Sequence, residues 1–237
     1  MTDIPIIFSA PMIRALLDGR KTMTRRLAWR KETEVCEVSS EHQEDYELRG
    51  IDCREIGPSR WLVRHPSPWQ RVKPGDRLWV RESLQCYQRA TAQYVADITP
   101  VAAFDAVDRA IDGRAKWTWK QATLPSIHMP RWASRLTLIV TAKKIERLQN
   151  ISYDDAIAEG CTADFAKYLA ATEDEPSRFL ETPDATARRL RWPQREFADL
   201  WTTLHGPDAW AANPEIVALT FTVHKTNIDA MPKAEAA

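Results

Sequence analysis

Apolar runs with the period of strands dominate this chain, and helical spacing interrupts them in three places. "IPIIFS", residues 4–9, is an apolar run suited to a buried strand. "APMIRALLDG" follows, with Ile13, Leu16 and Leu17 at helical spacing. Pro11 suits a first helical turn and Gly19 a left-handed cap, so this helix ends at Asp18. "TMTRRLAW" returns to alternation and predicts a strand. From about 31 to 70 the pattern is irregular and closes in the proline-rich "RHPSPWQ", which predicts an insertion or long loop. In "KPGDRLWVRES" a turn at Pro74 and Gly75 delivers a strand, with Leu78 and Val80 on one face and Trp79 and Arg81 on the other.

From about 88 to 122 the pattern is mixed, and "KWTWK" is its one clear alternation. "RLTLIVTAKKIERLQ" carries the strongest strand signal, being rich in β-branched residues. "SYDDAIAEG" predicts a short helix capped by Ser152, with Asp155 at the capping-box position and Gly160 closing it. A polar connection over 163–192 reads as a third insertion. "WPQREFADLWTTLHG" is then an amphipathic helix with Phe197, Leu200, Trp201 and Leu204 on its apolar stripe. "IVALTFTVHKTNI" supplies a last strand, and "DAMPKAEAA" reads as a frayed tail, flexible over 231–237. The predicted class is α+β, a β-barrel or curved mixed sheet with short helices packed around it, in one domain over 1–230 with long insertions. No G-x-G-x-x-G or G-x-x-x-x-G-K-[ST] loop is present, which argues against dinucleotide and nucleoside-triphosphate chemistry.

Composition narrows this little. The 237 residues, 44% hydrophobic and 28% charged, suit an ordinary globular protein with a sizeable core. No apolar run is long enough for a membrane span, and "MTDIPIIFSAPM" lacks the basic start of a secretory signal, so a cytoplasmic location is expected. Cys36, Cys53, Cys86 and Cys161 form no C-x-x-C unit and read as reduced thiols. The five histidines are equally scattered, so neither a metal site nor a cofactor is expected. Charge is more informative. The net charge is zero, yet Arg14, Arg20, Lys21, Arg25, Arg26, Arg30 and Lys31 cluster against Asp18 alone, and residues 32–55 are strongly acidic. A screened phosphate-binding edge and two mutually neutralising solvated faces both fit this distribution.

"LLDGRKTMTRR", "PGDRLWVRE", "SIHMPRWASRLTLIVT", "ISYDDAIAEG" and "VALTFTVH" together resemble, in order and spacing, the ASCH-domain family, whose fold is the PUA-like β-barrel. This long version looks like members encoded by bacteriophages and prophages. The resemblance implies a link to RNA and modified nucleosides, and small bacterial members include N4-acetylcytidine amidohydrolases. Carried over by motif, their catalytic lysine falls on Lys21, their threonine on Thr24 and their glutamate on Glu159. Such a reaction needs a hydroxyl nucleophile activated by a base. A lysine serves as that base only when burial or neighbouring cations lower its pKa, and Arg20, Arg25 and Arg26 are neighbours in sequence. Glu159, in the last turn of its helix, would protonate the leaving amine. In a flat strand Lys21 and Thr24 point to opposite faces, so they meet only if the chain bends after Gly19.

Arg20, Arg26, Trp79, Glu82, Ser126, His128 and Arg131 are candidates to line the substrate cleft, the tryptophan by stacking on a base. The residues also admit plainer roles: Thr24 as a strand former, Lys21 as a turn lysine, Glu159 as a helix surface residue and most tryptophans as core. The expected partner is a modified nucleoside or RNA. A non-catalytic reader of RNA or modified bases, or an RNA-cleaving variant, are the alternatives to hydrolysis.

Overall fold

The computed structural model describes residues 2–30, 33–35, 46, 48–57, 60–88, 90–102, 110–111, 113–162 and 192–232. Its centre is a five-stranded sheet of β1 (Asp3–Ile7), β2 (Met23–Leu27), β6 (Arg77–Arg81), β12 (Thr137–Arg147) and β13 (Glu215–His224). The order is β1-β6-β12-β13-β2. β1 runs parallel to β6, and every other pair is antiparallel. The β-branched run after Arg135 does become the longest strand, β12, which pairs with β13 from Thr137–His224 to Arg147–Glu215 across an irregularity between Val140 and Ala142.

Helices cover both faces of β13, so its side chains are buried in both directions and the strand reads as a continuous apolar run. Val217, Leu219 and Phe221 meet Ile6, Leu78 and Leu138 of the neighbouring strands and Ile13 and Leu16 of α1 (Ala10–Leu17). Ile216 and Ala218 face the other way, against Ala156 of α2 (Tyr153–Ala158) and Phe197 and Trp201 of α3 (Trp192–His205).

The sheet is not closed into a barrel by strand pairing, and the fold is mixed α+β, mostly strands with few helices. Its two edge strands are nevertheless bridged by one side chain. Arg26 of β2 donates from NH2 to the Ile7 carbonyl of β1 at 2.9 Å, and from NH1 to Thr24 Oγ1 at 3.0 Å and the Arg25 carbonyl at 3.1 Å. The sheet therefore curls until β1 and β2 lie within one guanidinium's reach.

The inserted segments are more ordered than their patterns suggest. Instead of a plain loop, 31–70 contains a three-stranded sheet of β3 (Thr33–Val35), β5 (Arg60–Arg64) and β4 (Asp52–Gly57). Asp52, Arg54, Glu55, Arg60 and Arg64 interrupt any apolar alternation there, because most of β4 and β5 is only partly buried. A second sheet joins β11 (Thr123–Leu124), β7 (Leu84–Tyr87) and β8 (Thr91–Tyr94), and β9 (Ala110–Ile111) pairs with β10 (Arg114–Ala115). "KWTWK" is not a strand. Lys116 makes one bridge to Thr91, while Trp117 and Trp119 pack edge to face at 4.8 Å beside the core of this sheet. On α3, Phe197 and Trp201 are buried but Leu204 is half exposed, since the floor beneath the helix is only as wide as Met23, Ile216 and Ala218. The tail is tied further along than expected. Ile228 is buried and Asp229 is paired with Arg131. Residues 163–191, most of the third insertion, and 233–237 lie outside the described set. Cys53, Cys86 and Cys161 are free thiols, and Cys36 also lies outside that set. Among the described residues no helix is long and apolar enough to cross a membrane.

The clasp holding this end of the sheet is ionic. Asp3 bonds Arg77 Nε at 2.7 Å and Arg131 NH2 at 2.6 Å, and Arg131 reaches Asp229 at 2.7 Å. The Arg77 hydrogen bond holds the Asp3 carboxyl below its ordinary 3.8 despite opposing desolvation, and Arg131 does the same for Asp229. Carboxyls lowered in the folded state contribute stability that is present above the ordinary value and lost as pH falls through the lowered ones. Asp3→Asn is expected to lower stability at neutral pH by on the order of 1 kcal/mol and to flatten the fall of the thermal midpoint below about pH 4. Acid-melting curves of wild type and variant that run parallel would contradict this.

Candidate functional site

A sharp bend between α1 and β2 aims Lys21 inward. Asp18 caps α1, Gly19 takes φ +74°, and the amides of Arg20 and Lys21 both donate to the Ala15 carbonyl at 3.0 Å. Thr22 then joins two elements, donating to the Ala158 carbonyl at 2.8 Å and accepting from the Phe221 amide at 2.9 Å. Lys21 thus precedes the strand, and the alternation that would separate it from Thr24 does not apply to it. Its side chain is wholly buried and passes against Gly160, where a Cβ would lie 3.1 Å from Ala15 Cβ and 3.3 Å from Lys21 Cβ.

The ammonium ends on the C-terminus of α2. Lys21 Nζ donates to Glu159 Oε2 at 2.7 Å and to the Glu159 carbonyl at 2.8 Å. Glu159 caps this helix, whose N-terminus is fixed as its sequence predicts, by Ser152 accepting from the Asp155 amide. A cation at a helix C-terminus also meets the negative end of the backbone dipoles. Burial draws the Lys21 ammonium below the ordinary lysine value, Glu159 opposes that fall, and Arg26 adds to it. The Cys161 thiol alongside is pushed up, also by burial and then by Glu196 and Glu159.

Glu159 is itself held from behind. Its Oε1 accepts from Arg25 NH1 at 3.3 Å, and Arg25 NH2 reaches Asp155 at 2.6 Å and Glu146 at 2.9 Å. Lys144 closes the group on Asp155 at 2.6 Å and Glu146 at 3.3 Å. Three cations therefore face three carboxylates, which lets charges this far inside remain charged. Arg25 lies 5.7 Å from the Phe197 ring, and its buried Nε has no partner.

Thr24 and Arg26 occupy the opposite face of β2 from Arg25, as alternation requires. Thr24 is buried, and its hydroxyl accepts from Arg26. Phe8 joins the two halves of the site, its ring centroid 5.6 Å from Lys21 Nζ and 5.1 Å from the Arg26 guanidinium, with Trp69 5.7 Å beyond on the Arg26 side. Lys21, bound to Glu159, and Arg26, bound to Thr24, thus meet on one aromatic ring. No hydrogen bond joins Lys21 to Thr24 among the described residues: both of the lysine's bonds go to Glu159.

The remaining predicted residues are engaged elsewhere. Arg20 is at the rim, on the Gly160 carbonyl at 3.0 Å and Asp18 at 3.1 Å. Trp79 stacks with Arg81 at 5.3 Å. Arg81 donates to the Ile127 carbonyl, in the turn that carries Ser126 and exposed His128. Glu82 is buried and bound by Arg135 at 2.8 and 2.9 Å; burial pushes its carboxyl up and Arg135 opposes this. Arg131 belongs to the ionic clasp. Sequence reasoning missed Phe8, Glu146 and Lys144 as parts of the site, read Asp155 only as a cap, and read Arg25 as a cation lowering the Lys21 pKa, a part that falls to Arg26 while Arg25 binds Glu159. The usable signal was Arg25, whose buried face of β2 demands carboxylates near it. Among the described residues no group of histidine, cysteine and carboxylate side chains could hold a metal ion.

Chemically, this arrangement offers a proton shared between an amine and a carboxylate, next to a hydroxyl that touches a guanidinium. Its weak point sterically is Gly160, with φ +98° and a fit so close that an added methyl group would press on Ala15 and Lys21. Gly160→Ala is expected to cost about 2–4 kcal/mol from backbone strain and overpacking together, whereas Gly19→Ala, with open space around it, should cost about 1–2 kcal/mol. Denaturant unfolding of the two variants measures the difference, and equal losses would refute the close packing of Lys21 on Gly160. No family model matches the chain, and neither does any curated protein or solved structure, so its chemistry has to be read from its own side chains.

Proposed function

We propose that the protein is an amidohydrolase acting on an N-acylated cytidine or a related modified nucleoside, in keeping with its resemblance to the ASCH-domain family and its PUA-like barrel. The observation that carries this reading is the buried Lys21–Glu159 pair, one phenylalanine ring away from a threonine hydroxyl bonded to Arg26. The curl of the sheet, bridged at its edges by Arg26, supports the barrel assignment without strand pairing at the seam.

In the proposed reaction the Lys21 proton passes to Glu159 across their 2.7 Å contact, leaving a neutral amine beside a carboxylic acid. Lys21 then takes the proton of Thr24 as its oxygen attacks the acyl carbon. Arg26, already at 3.0 Å from that hydroxyl, stabilises the negative charge on the carbonyl oxygen. Glu159 donates its proton to the departing N4 amine, releasing cytidine, and water hydrolyses the Thr24 ester to give the free acid. Burial of Lys21 favours its neutral form, and Arg25 keeps Glu159 in place while its charge changes. A second reading, non-catalytic recognition of a modified base, is favoured by the missing Lys21–Thr24 hydrogen bond, since both groups already have partners.

Incubation with a panel of N4-acylated cytidines, free and in oligonucleotides, decides between the two. Hydrolysis is expected from the wild type, with a rate that falls with rising pH once the one proton held by the Lys21–Glu159 pair is lost, at a pH below the ordinary lysine range. Lys21→Arg, a permanent cation, and Thr24→Ala are each expected to lose about 10²–10⁴-fold in rate while keeping cooperative melting, and Thr24→Ser should retain part of it. Near-normal turnover in Lys21→Arg would remove the base role. Tight binding of these nucleosides without release of acid by the wild type would establish the reader.

A further inference from the structure

The basic run from Arg14 to Lys31 does not form one phosphate-gripping edge. Arg14 donates to the Ala96 carbonyl, Arg20 to Asp18 and Gly160, Lys21 and Arg25 are buried in ion pairs, and Arg26 spans the sheet edges. Lys31 lies outside the described residues. Arg30 alone among the described members of the run is exposed with no described side-chain partner, and it faces a separate cleft of about 480 Å³.

That cleft is built from three stretches of chain. Arg30 follows β2, Leu48, Arg49 and Ile51 precede β4, and His65, Pro66 and Arg71 follow β5. Backbone pairing fixes the walls: the Arg30 amide donates to the His65 carbonyl at 2.9 Å, and Trp29 bridges to Pro66. Three arginines and a histidine line the cleft with no carboxylate among the described lining residues, although the surrounding segment 32–55 is the most acidic in the sequence. Arg49 has other contacts, while Arg30 and Arg71 are exposed and make no described side-chain hydrogen bond or ion pair.

We infer that this cleft binds successive phosphates of a single-stranded RNA whose modified base enters the Lys21 site. The argument for a polymer is energetic. An exposed guanidinium contributes little to holding one small anion, but contacts to several phosphates on one chain add up through counterion release and effective concentration. The placement also fits. Arg71 follows Trp69, which stacks with Arg26 at the site, and Arg30 lies four positions after Arg26, a span of at most about 14 Å. The cleft therefore lies beside the site but beyond it, where neighbouring nucleotides would run. Choosing RNA over another polyanion rests on the nucleoside reading of the Lys21 site.

The test is fluorescence anisotropy of a labelled short oligouridylate with the full chain and with Arg30→Ala/Arg71→Ala, across a salt series. The wild type is expected to bind at low salt, with the double variant at least about 10-fold weaker and its log–log salt slope shallower by about 1.4. Hydrolysis of free N4-acetylcytidine should be unchanged by the double variant. An affinity and slope equal to those of the wild type, or no binding of the oligonucleotide at low salt, would overturn the inference. So would competition by inorganic pyrophosphate or by polyglutamate as strong as that by unlabelled RNA, which would assign the cleft to free phosphate or to an acidic peptide. If no acylated nucleoside is hydrolysed yet the oligonucleotide still binds through Arg30 and Arg71, the phosphate cleft stands and the hydrolase reading falls.

Discussion

A lysine ammonium with no access to water has to be answered from inside, and much of this molecule is arranged around that requirement. Lys21 is met by a carboxylate and a carbonyl of the same residue, which is possible only because α2 stops at Glu159. The stop depends on Gly160, whose left-handed backbone turns the chain away and whose missing side chain lets the lysine stem pass. Glu159 then needs a second cation, Arg25, and Arg25 needs Asp155 and Glu146. Desolvation propagates through neighbours in this way until it reaches Lys144, whose half-exposed ammonium meets water. Replacing one member leaves its partner buried and uncompensated, a larger penalty than the loss of a contact.

The same strand that supplies Arg25 to this network supplies Thr24 and Arg26 to its other face, so β2 divides the site between the ion-pair network and the Thr24–Arg26 contact. Phe8 touches both halves. An aromatic ring between two cations gives each a favourable contact without neutralising either.

What could be read from the sequence was what depends on neighbours along the chain. The cap residues Ser152, Gly19 and Gly160, the helical spacing of Ile13 and Leu16 and the β-branched run of β12 all act within a few residues, and their elements formed as expected. The bond between Lys21 and Glu159 was not legible, because 138 positions separate them and no local pattern encodes the contact; the resemblance of their motifs suggested only that both belong to one site. The insertions failed for a different reason. In 31–70 the strands β4 and β5 are only partly buried, so charged residues cost little and hydrophobic alternation is weak, while β8 to β10 are too short, at two to four residues, to show an alternation. The acidity of 32–55 likewise concealed the cationic cleft, since net charge along a segment says little about which side chains share a wall.

The Arg26 bridge has a kinetic meaning as well. A barrel sealed by a ladder of backbone hydrogen bonds opens only when several break together. Here the two edges are joined by the far end of one flexible side chain, beside the threonine hydroxyl. That guanidinium is held by three hydrogen bonds and lies against the Phe8 and Trp69 rings, so the seam parts only when these contacts are given up together. The seam thus hangs on a group that also holds the Thr24 hydroxyl, so a change at Arg26 alters the edge contact and the setting of that hydroxyl together.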